Sequence, residues 1–287
     1  MQTVEKIGKR FWYMTPVSET DRPVLGMVIG EKRNLMIDAG NSEAHTKLFL
    51  DMLAEQDVKK PAYVLLSHWH WDHIFGLSAL TDTFTISSKQ TKTEMEKLIP
   101  LSWSDEALDQ RVALGTEIEF CSAAIKKEFP EERKINITLP VMTIEDEVEI
   151  DLGGITCVMK HVGGDHAADS TVVYIKEEKI LFVADCMYAD IFSQKWNYTI
   201  DGTRALLEKL EKFDAETYIL SHGLPITKEE FQNEVFMLST IADLTEKHKG
   251  EHKSITLEYQ KHLGRGLSED ELETIEYFVN GHEMNHS

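Results

Sequence analysis

The segment Ser67-His68-Trp69-His70-Trp71-Asp72-His73 places three imidazoles and one carboxylate within six residues. All four are good ligands for a borderline divalent metal. With 12 histidines in 287 residues, such a pattern arises by chance roughly one time in a thousand. In an extended segment residues 68, 70 and 72 share a face, and a turn can redirect His73 beside Asp72, so the cluster suits two adjacent metals. A single tight helix cannot do this. A polar patch between two packed tryptophans is the bland alternative, and it leaves four adjacent ligand types unexplained. Four neighbouring residues cannot enclose a metal and still leave a catalytic position open, so further ligands must come from elsewhere in the chain.

Working outward, the segment follows a short apolar strand at 62–66. Upstream, strand patterns at 11–17, 24–29 and 34–37 end at Asp38, Gly40 and Asn41. Leu48, Phe49, Met52 and Leu53 then recur at helical spacing. Downstream, strand patterns return at 147–150, 155–159, 171–175, 180–184 and 218–220. Three ligand-type residues stand at the exits of these strands. His166 lies in Gly163-Gly164-Asp165-His166, where the glycines allow a sharp turn. Asp185 ends Leu181-Phe182-Val183-Ala184, and His222 follows Tyr218-Ile219-Leu220-Ser221. Singly, each reads as a cap, a turn former or a solvated histidine. In this order after the cluster, they read as the missing ligands.

HxHxDH followed by His, Asp and His after successive strands resembles the metallo-β-lactamase superfamily. The likeness spans about residues 11–225, apart from an insertion. It implies an α/β fold, a four-layer αβ/βα sandwich with a one- or two-metal site between the sheets. It also implies one metal on His68, His70 and His166, a second on Asp72, His73 and His222, and Asp185 bridging them. The implied cofactors are two divalent ions, zinc first, with manganese or iron(II) as alternatives. Two positions depart from the family's common pattern: Phe75 precedes Gly76 where two glycines are usual, and Asp165 stands where the turn before His166 usually has Pro-Gly.

A metal pair lowers the pKa of water from about 15.7 towards about 7 and polarises the oxygen under attack. The expected activity is therefore hydrolysis by metal-bound hydroxide of a small acyl substrate: a lactone, ester, thioester or β-lactam. Asp72 is expected both to ligate and to manage the proton. Tyr188, three residues beyond Asp185, is placed for its hydroxyl to donate to a substrate carbonyl. A similarly placed tyrosine in superfamily lactonases that open acyl-homoserine lactones favours lactones or esters. The alternatives are a mononuclear-iron persulfide dioxygenase-like enzyme, a phosphodiesterase, or a metal-stabilised binding module without catalysis.

Around this centre, 89–132 reads as a helical insertion, in which Ile118, Cys121 and Ile125 keep helical spacing until Pro130. Asp201 is the expected cap of a helix carrying Leu206, Leu210 and Phe213. Residues 227–287 read as a helical extension, with Ser268 and Glu271 in a capping-box pattern before Leu272, Ile275 and Val279. The whole, 1–287, is expected to be one elaborated domain. His161 is expected not to ligate, and His45, His248, His252, His262, His282 and His286 to be solvated.

Thirty basic against fifty acidic residues give a net charge of −20. That disfavours nucleic acid and anionic membrane surfaces as partners and leaves a small molecule as the expected ligand. No apolar run reaches the ~18–20 residues of a membrane span, and the start lacks the pattern of a secretory signal. Cys121, Cys157 and Cys186 are scattered and odd in number, which fits a reducing cytoplasm; Cys186, beside Asp185, is expected to be a packed thiol.

Overall fold

A computed structural model describes residues 2–131 and 133–286. Met1, Glu132 and Ser287, which end the expected domain, insertion and extension, lie outside the described residues. Strands β1 (Val4–Ile7), β2 (Phe11–Met14), β3 (Leu25–Ile29), β4 (Asn34–Ile37), β5 (Tyr63–Leu65), β6 (Phe84–Ser88) and β7 (Met142–Ile144) form one sheet in that order. Strands β8 (Glu147–Asp151), β9 (Thr156–His161), β10 (Thr171–Ile175), β11 (Ile180–Ala184), β12 (Thr217–Leu220) and β13 (Ile226–Thr227) form the second, each beside its neighbours in sequence.

The alternation of side chains along each strand sorts the core into layers. In β4, Leu35 and Ile37 face the second sheet, joining Cys157, Met159 and Phe182 in a core between the sheets. Met36, between them, faces outward against Phe49 and Leu53 of helix α1 (Glu43–Ala54). In β11, Phe182 faces inward while Leu181 and Val183 pack against Leu206 and Leu210 of the later helices. Both strands are buried on both faces, so they read as continuous apolar runs. Helix, sheet, sheet, helix is the four-layer αβ/βα arrangement.

A short helix α2 (Trp71–Ile74) follows β5 across the connection 66–70. Between β6 and β7 run α3 (Lys89–Leu98), α4 (Asp105–Ala113) and α5 (Glu119–Glu128). Phe75, at the position where the family pattern has glycine, is buried and stacks edge-on against Trp71 and against Trp103 of this insertion. After β11 come α6 (Ile200–Leu210), α7 (Lys228–Lys247), α8 (His252–Leu263) and α9 (Glu269–His286). Ser268 and Glu271 exchange both bonds of a capping box at the start of α9 (2.7 and 3.2 Å). Ile275 and Val279 are buried, whereas Leu272 is exposed.

Several expectations are corrected. The strand expected at 11–17 is β2, which stops at Met14, and Val17 makes only an isolated bridge with Arg22. The cap of α6 is Thr199, whose Oγ1 accepts the Gly202 N–H at 3.1 Å; Asp201 is already inside the first turn, and Phe213 lies beyond the helix. Strands β1, β6, β7 and β13 carried no clear pattern. In β6, Thr85, Ser87 and Ser88 are buried by the sheet around them, so polarity hid the strand.

Candidate metal centre

Every ligand-type residue sits where a strand releases the chain. His68 and His70 follow β5, His166 follows β9, Asp185 follows β11, and His222 follows β12. His70 is extended (φ −60, ψ 146) and caps α2, so Asp72 and His73 turn away on the first helical turn. Gly163 and Gly164 both have positive φ, which bends the chain to aim His166 inward. Ahead of Asp185 the β11–β12 register shifts, and Ala184 adopts left-handed backbone (φ 50). A non-glycine residue there is strained, and the strain turns Asp185 out of the strand into the gap between the sheets.

The side chains converge in two groups. One is His68, His70 and His166; the other is Asp72, His73, Asp185 and His222. Within each, one potential ligand atom per residue lies within 4.8 Å of the others. Asp185 faces both groups. Its Oδ2 lies 3.2 Å from His73 Nε2 and 3.3 Å from His222 Nε2, and 3.6 and 3.7 Å from the Nε2 atoms of His166 and His68. Buried with no hydrogen-bond partner are His68 Nε2, His166 Nε2 and Asp185 Oδ1. Orphaned buried atoms of this kind are costly unless something absent from the protein itself satisfies them. Divalent cations are what nitrogen and carboxylate donors in this arrangement suit, so the residues fit a metal.

The opposite edges of the imidazoles are held by hydrogen bonds, and here the structure adds residues that the sequence reading missed. Asp38, at the end of β4, accepts the Ser67 N–H (2.7 Å), the Ser67 hydroxyl (2.8 Å) and His73 Nδ1–H (2.8 Å). With its hydroxyl hydrogen committed to Asp38, Ser67 Oγ accepts from His68 Nδ1–H at 3.0 Å. The Ala189 carbonyl accepts His166 Nδ1–H at 3.1 Å. The bonds to His68 and His166 fix the tautomer and leave the Nε2 lone pair of each directed at the cluster, and the bond to Asp38 holds the His73 ring in place. Asp21 lies 3.5 Å from His222 Nδ1. Asp38 was readable by the rule that found Asp185, a carboxylate at a strand exit; Asp21, in a loop, carried no signal.

Burial, reinforced by neighbouring imidazoles, pushes His68 and His70 well below the usual histidine range, and both stay neutral donors. Burial also disfavours charge on His73 and His222, but the surrounding carboxylates outweigh it and raise both. Asp185 is correspondingly held low: burial opposes its charge, and His222 and His73 overcome that opposition. Burial and the nearby Asp72 push Asp21 up to about 7.

The cluster forms the floor of a cavity of about 390 Å³. Its walls come from Ile118 and Phe120 on one side and Ile191, Phe192, Trp196 and Tyr277 elsewhere, and no Lys or Arg lines it among the described residues. Tyr188 lines it too, with its ring 6.0 Å from that of His166 and 6.3 Å from that of His222. Burial, with Asp185 close by, raises its hydroxyl far above the neutral range, so it stays protonated. Cys186 is buried, and burial raises its thiol likewise. Asp165 faces away from the cluster, accepting the N–H (2.9 Å) and hydroxyl (2.6 Å) of Thr199 at the start of α6. His161 Nε2 bonds the Ala168 carbonyl at 2.9 Å, outside both groups. His45 is not solvated, as had been expected; it is fully buried on α1, 3.2 Å from Gln2 Nε2.

Two sheets flanked by helices, with a His/Asp cluster at the strand ends, define a class of metal-dependent hydrolase. The chain belongs to the Metallo-beta-lactamase superfamily, whose model matches residues 20–222. Among solved structures it is similar to a metallo-beta-lactamase from Pontibacter korlensis, with a TM-score of 0.58 and 18% identity over 82% of this chain and 98% of that one. It is also similar to a double mutant of the sec-alkyl sulfatase PisA1, with a TM-score of 0.63 and 14% identity over 90% of this chain and 45% of that one. Among curated proteins it is similar to the linear primary-alkylsulfatase of Pseudomonas sp. (strain ATCC 19151), 21% identical across 71% of this chain. The alignment spans 42% of that relative's length.

Proposed function

We propose that the chain hydrolyses small neutral esters or lactones that carry an apolar group, using two divalent metals, zinc first. The observation that carries this reading is the floor-and-wall contrast of the cavity: ligand-type groups below, apolar side chains around, and no cationic side chain to hold an anionic substrate. Two ions bound there would supply water with a pKa near about 7 and polarise the scissile oxygen. His68, His70 and His166 would hold one, Asp72, His73 and His222 the other, with Asp185 reaching both. Asp72 accepts the proton released by the attacking water and returns it to the leaving oxygen. The Tyr188 hydroxyl, kept protonated by its surroundings, donates to the substrate oxygen on which charge develops. The apolar walls exclude bulk water and seat the hydrocarbon part of the substrate. The net charge of −20 supports a small molecule over nucleic acid or an anionic membrane, and three free, buried cysteines fit a reducing cytoplasmic setting.

Metal analysis of the purified protein, coupled to a panel of lactones, esters, thioesters, β-lactams and phosphodiesters, tests cofactor and bond type together. Zinc-dependent ester or lactone turnover is expected. Tyr188→Phe should lose roughly 10²–10³-fold in kcat, the usual cost of one such donor. Unchanged turnover on every accepted substrate would remove Tyr188 from the mechanism. A second reading, cleavage of alkyl sulfate esters, is favoured by two sulfatase relatives and by walls that suit an alkyl chain. Sulfate release from a linear alkyl sulfate, exceeding acid release from the matching ester, would select it.

A further inference from the structure

Tyr277 reaches the cavity from α9, beyond the residues 20–222 that the family model covers. Its position is built in. Its carbonyl accepts the Tyr198 N–H at 3.1 Å, and its ring lies 5.9 Å from that of Trp196 and 6.2 Å from that of Tyr198. One turn further along α9, Asn280 Nδ2 donates to the Trp196 carbonyl at 3.0 Å, and Glu283 pairs with Lys195 at 2.9 Å. Gly281 lets the helix come this close, because a Cβ there would sit 2.0 Å from the Tyr198 carbonyl oxygen. The segment 190–198, which carries Phe192 and Trp196 into the cavity, is thus clamped on α9 rather than left as a free loop. Phe192 touches the metal centre, its ring 5.0 Å from that of His70. Trp196 and Tyr277 continue the same apolar wall outward.

We propose that Tyr277, with Trp196 held against it, determines the specificity of this site by closing an apolar slot that accepts a straight aliphatic chain of limited length. The proposal rests on the reading of the site as an ester or lactone hydrolase and names the substrate's hydrocarbon part. A chain lying on these walls gains about fourfold in affinity per buried methylene until it meets the Tyr277 ring. Beyond that length, added methylenes gain nothing or clash.

The test uses the full-length, zinc-loaded protein and straight-chain esters of increasing acyl length, with KM and kcat read separately. KM is expected to fall with each methylene in the wild type and then level or rise. In Tyr277→Ala the break should move by about two methylenes or more towards longer chains, because the truncated ring leaves a cavity at the wall. Tyr277→Phe should restore the original break. Trp196→Ala, at an exposed residue whose loss spares the core, should shift it in the same direction. A parallel titration with straight-chain carboxylic acids of the same lengths, followed by calorimetry, reads the slot without turnover. Should the wild type cleave no ester while acid binding still shows a length break that Tyr277→Ala moves, the hydrolase reading fails and the slot stands. Identical length profiles in the wild type and in folded Tyr277→Ala and Trp196→Ala, in both KM and acid binding, overturn the proposal.

Discussion

Asp38 shows how much of a His/Asp cluster lies behind its converging side chains. It touches no candidate ion, yet one carboxylate bonds the Ser67 backbone and hydroxyl and the His73 ring, and through Ser67 it orients His68. In Asp38→Asn one amide nitrogen must face a donor. The variant is expected to stay folded but to bind zinc roughly 10–100-fold more weakly, the usual cost of losing such an outer partner. Competition with a fluorescent chelator measures this, and unchanged affinity would reduce Asp38 to a structural turn. His45 makes a different residue-scale statement. Burial, with Arg22 adding to it and Asp72 opposing it, lowers its pKa from 6.5 to about 3. Between those values the unfolded chain carries a proton that the folded chain does not, so unfolding free energy rises with pH through that window. His45 therefore costs no stability above the unfolded value, and a few kcal/mol are lost progressively as pH falls towards the folded one. His45→Gln should flatten that slope. Urea unfolding of both proteins at several pH values checks it, and parallel slopes would mean that His45 is more accessible than its burial shows.

At the scale of elements, strand exits position the chemistry and helix contacts set the shape of the cavity. Strands β4 and β11 were legible because burial on both faces writes unbroken apolar runs, and β5, β9 and β12 because each keeps a short buried apolar centre; the ends of β5, β9, β11 and β12 could be matched with ligand-type residues. Strands β6 and β7 were not legible. Serine and threonine inside β6 are buried by neighbouring strands, a condition set by pairing rather than by local pattern. The histidine on α1 was misjudged for a related reason. His45 lies one turn before Phe49 on the buried stripe, and helical spacing alone would have put it inside. The contact between α9 and segment 190–198 gives a prediction at this scale. Gly281→Ala forces a methyl against the Tyr198 carbonyl, so a destabilisation of about 1–3 kcal/mol and faster proteolytic cleavage within 190–198 are expected. Denaturant unfolding and limited proteolysis read both; a neutral substitution would show that α9 is free to shift.

For the molecule as a whole, the two sheets arrive at the centre separately and the cluster couples them: β5 belongs to one, and β9, β11 and β12 to the other. Ions held by residues from both sheets would bind the folded state alone. Saturating zinc is therefore expected to stabilise the protein by about 2.7 kcal/mol at a free concentration 100-fold above Kd. Tm should fall by several degrees on chelation and recover on adding zinc back, in a thermal shift assay; an unmoved Tm would count against a metal held between the sheets. No helix among the described residues is long and apolar enough to cross a membrane. The acid excess also has a more local reading now. Four carboxylates, Asp21, Asp38, Asp72 and Asp185, serve the centre: two lie among its ligand-type groups and two stand behind its imidazoles.

The sequence by itself determined the family and pointed to seven ligand-type positions and to the alternation of buried strands with helices. Those features are local: a spacing of ligand atoms, or a run of apolar residues ending at a turn. Only the tertiary structure decided which carboxylates stand behind the imidazoles, that His45 is buried, and that α9 brings Tyr277 to the cavity above the His/Asp cluster. Asp38 and His73 are 35 residues apart in sequence, and Trp196 and Asn280 are 84 apart. Their meeting depends on how layers stack, and no periodicity along the chain encodes that.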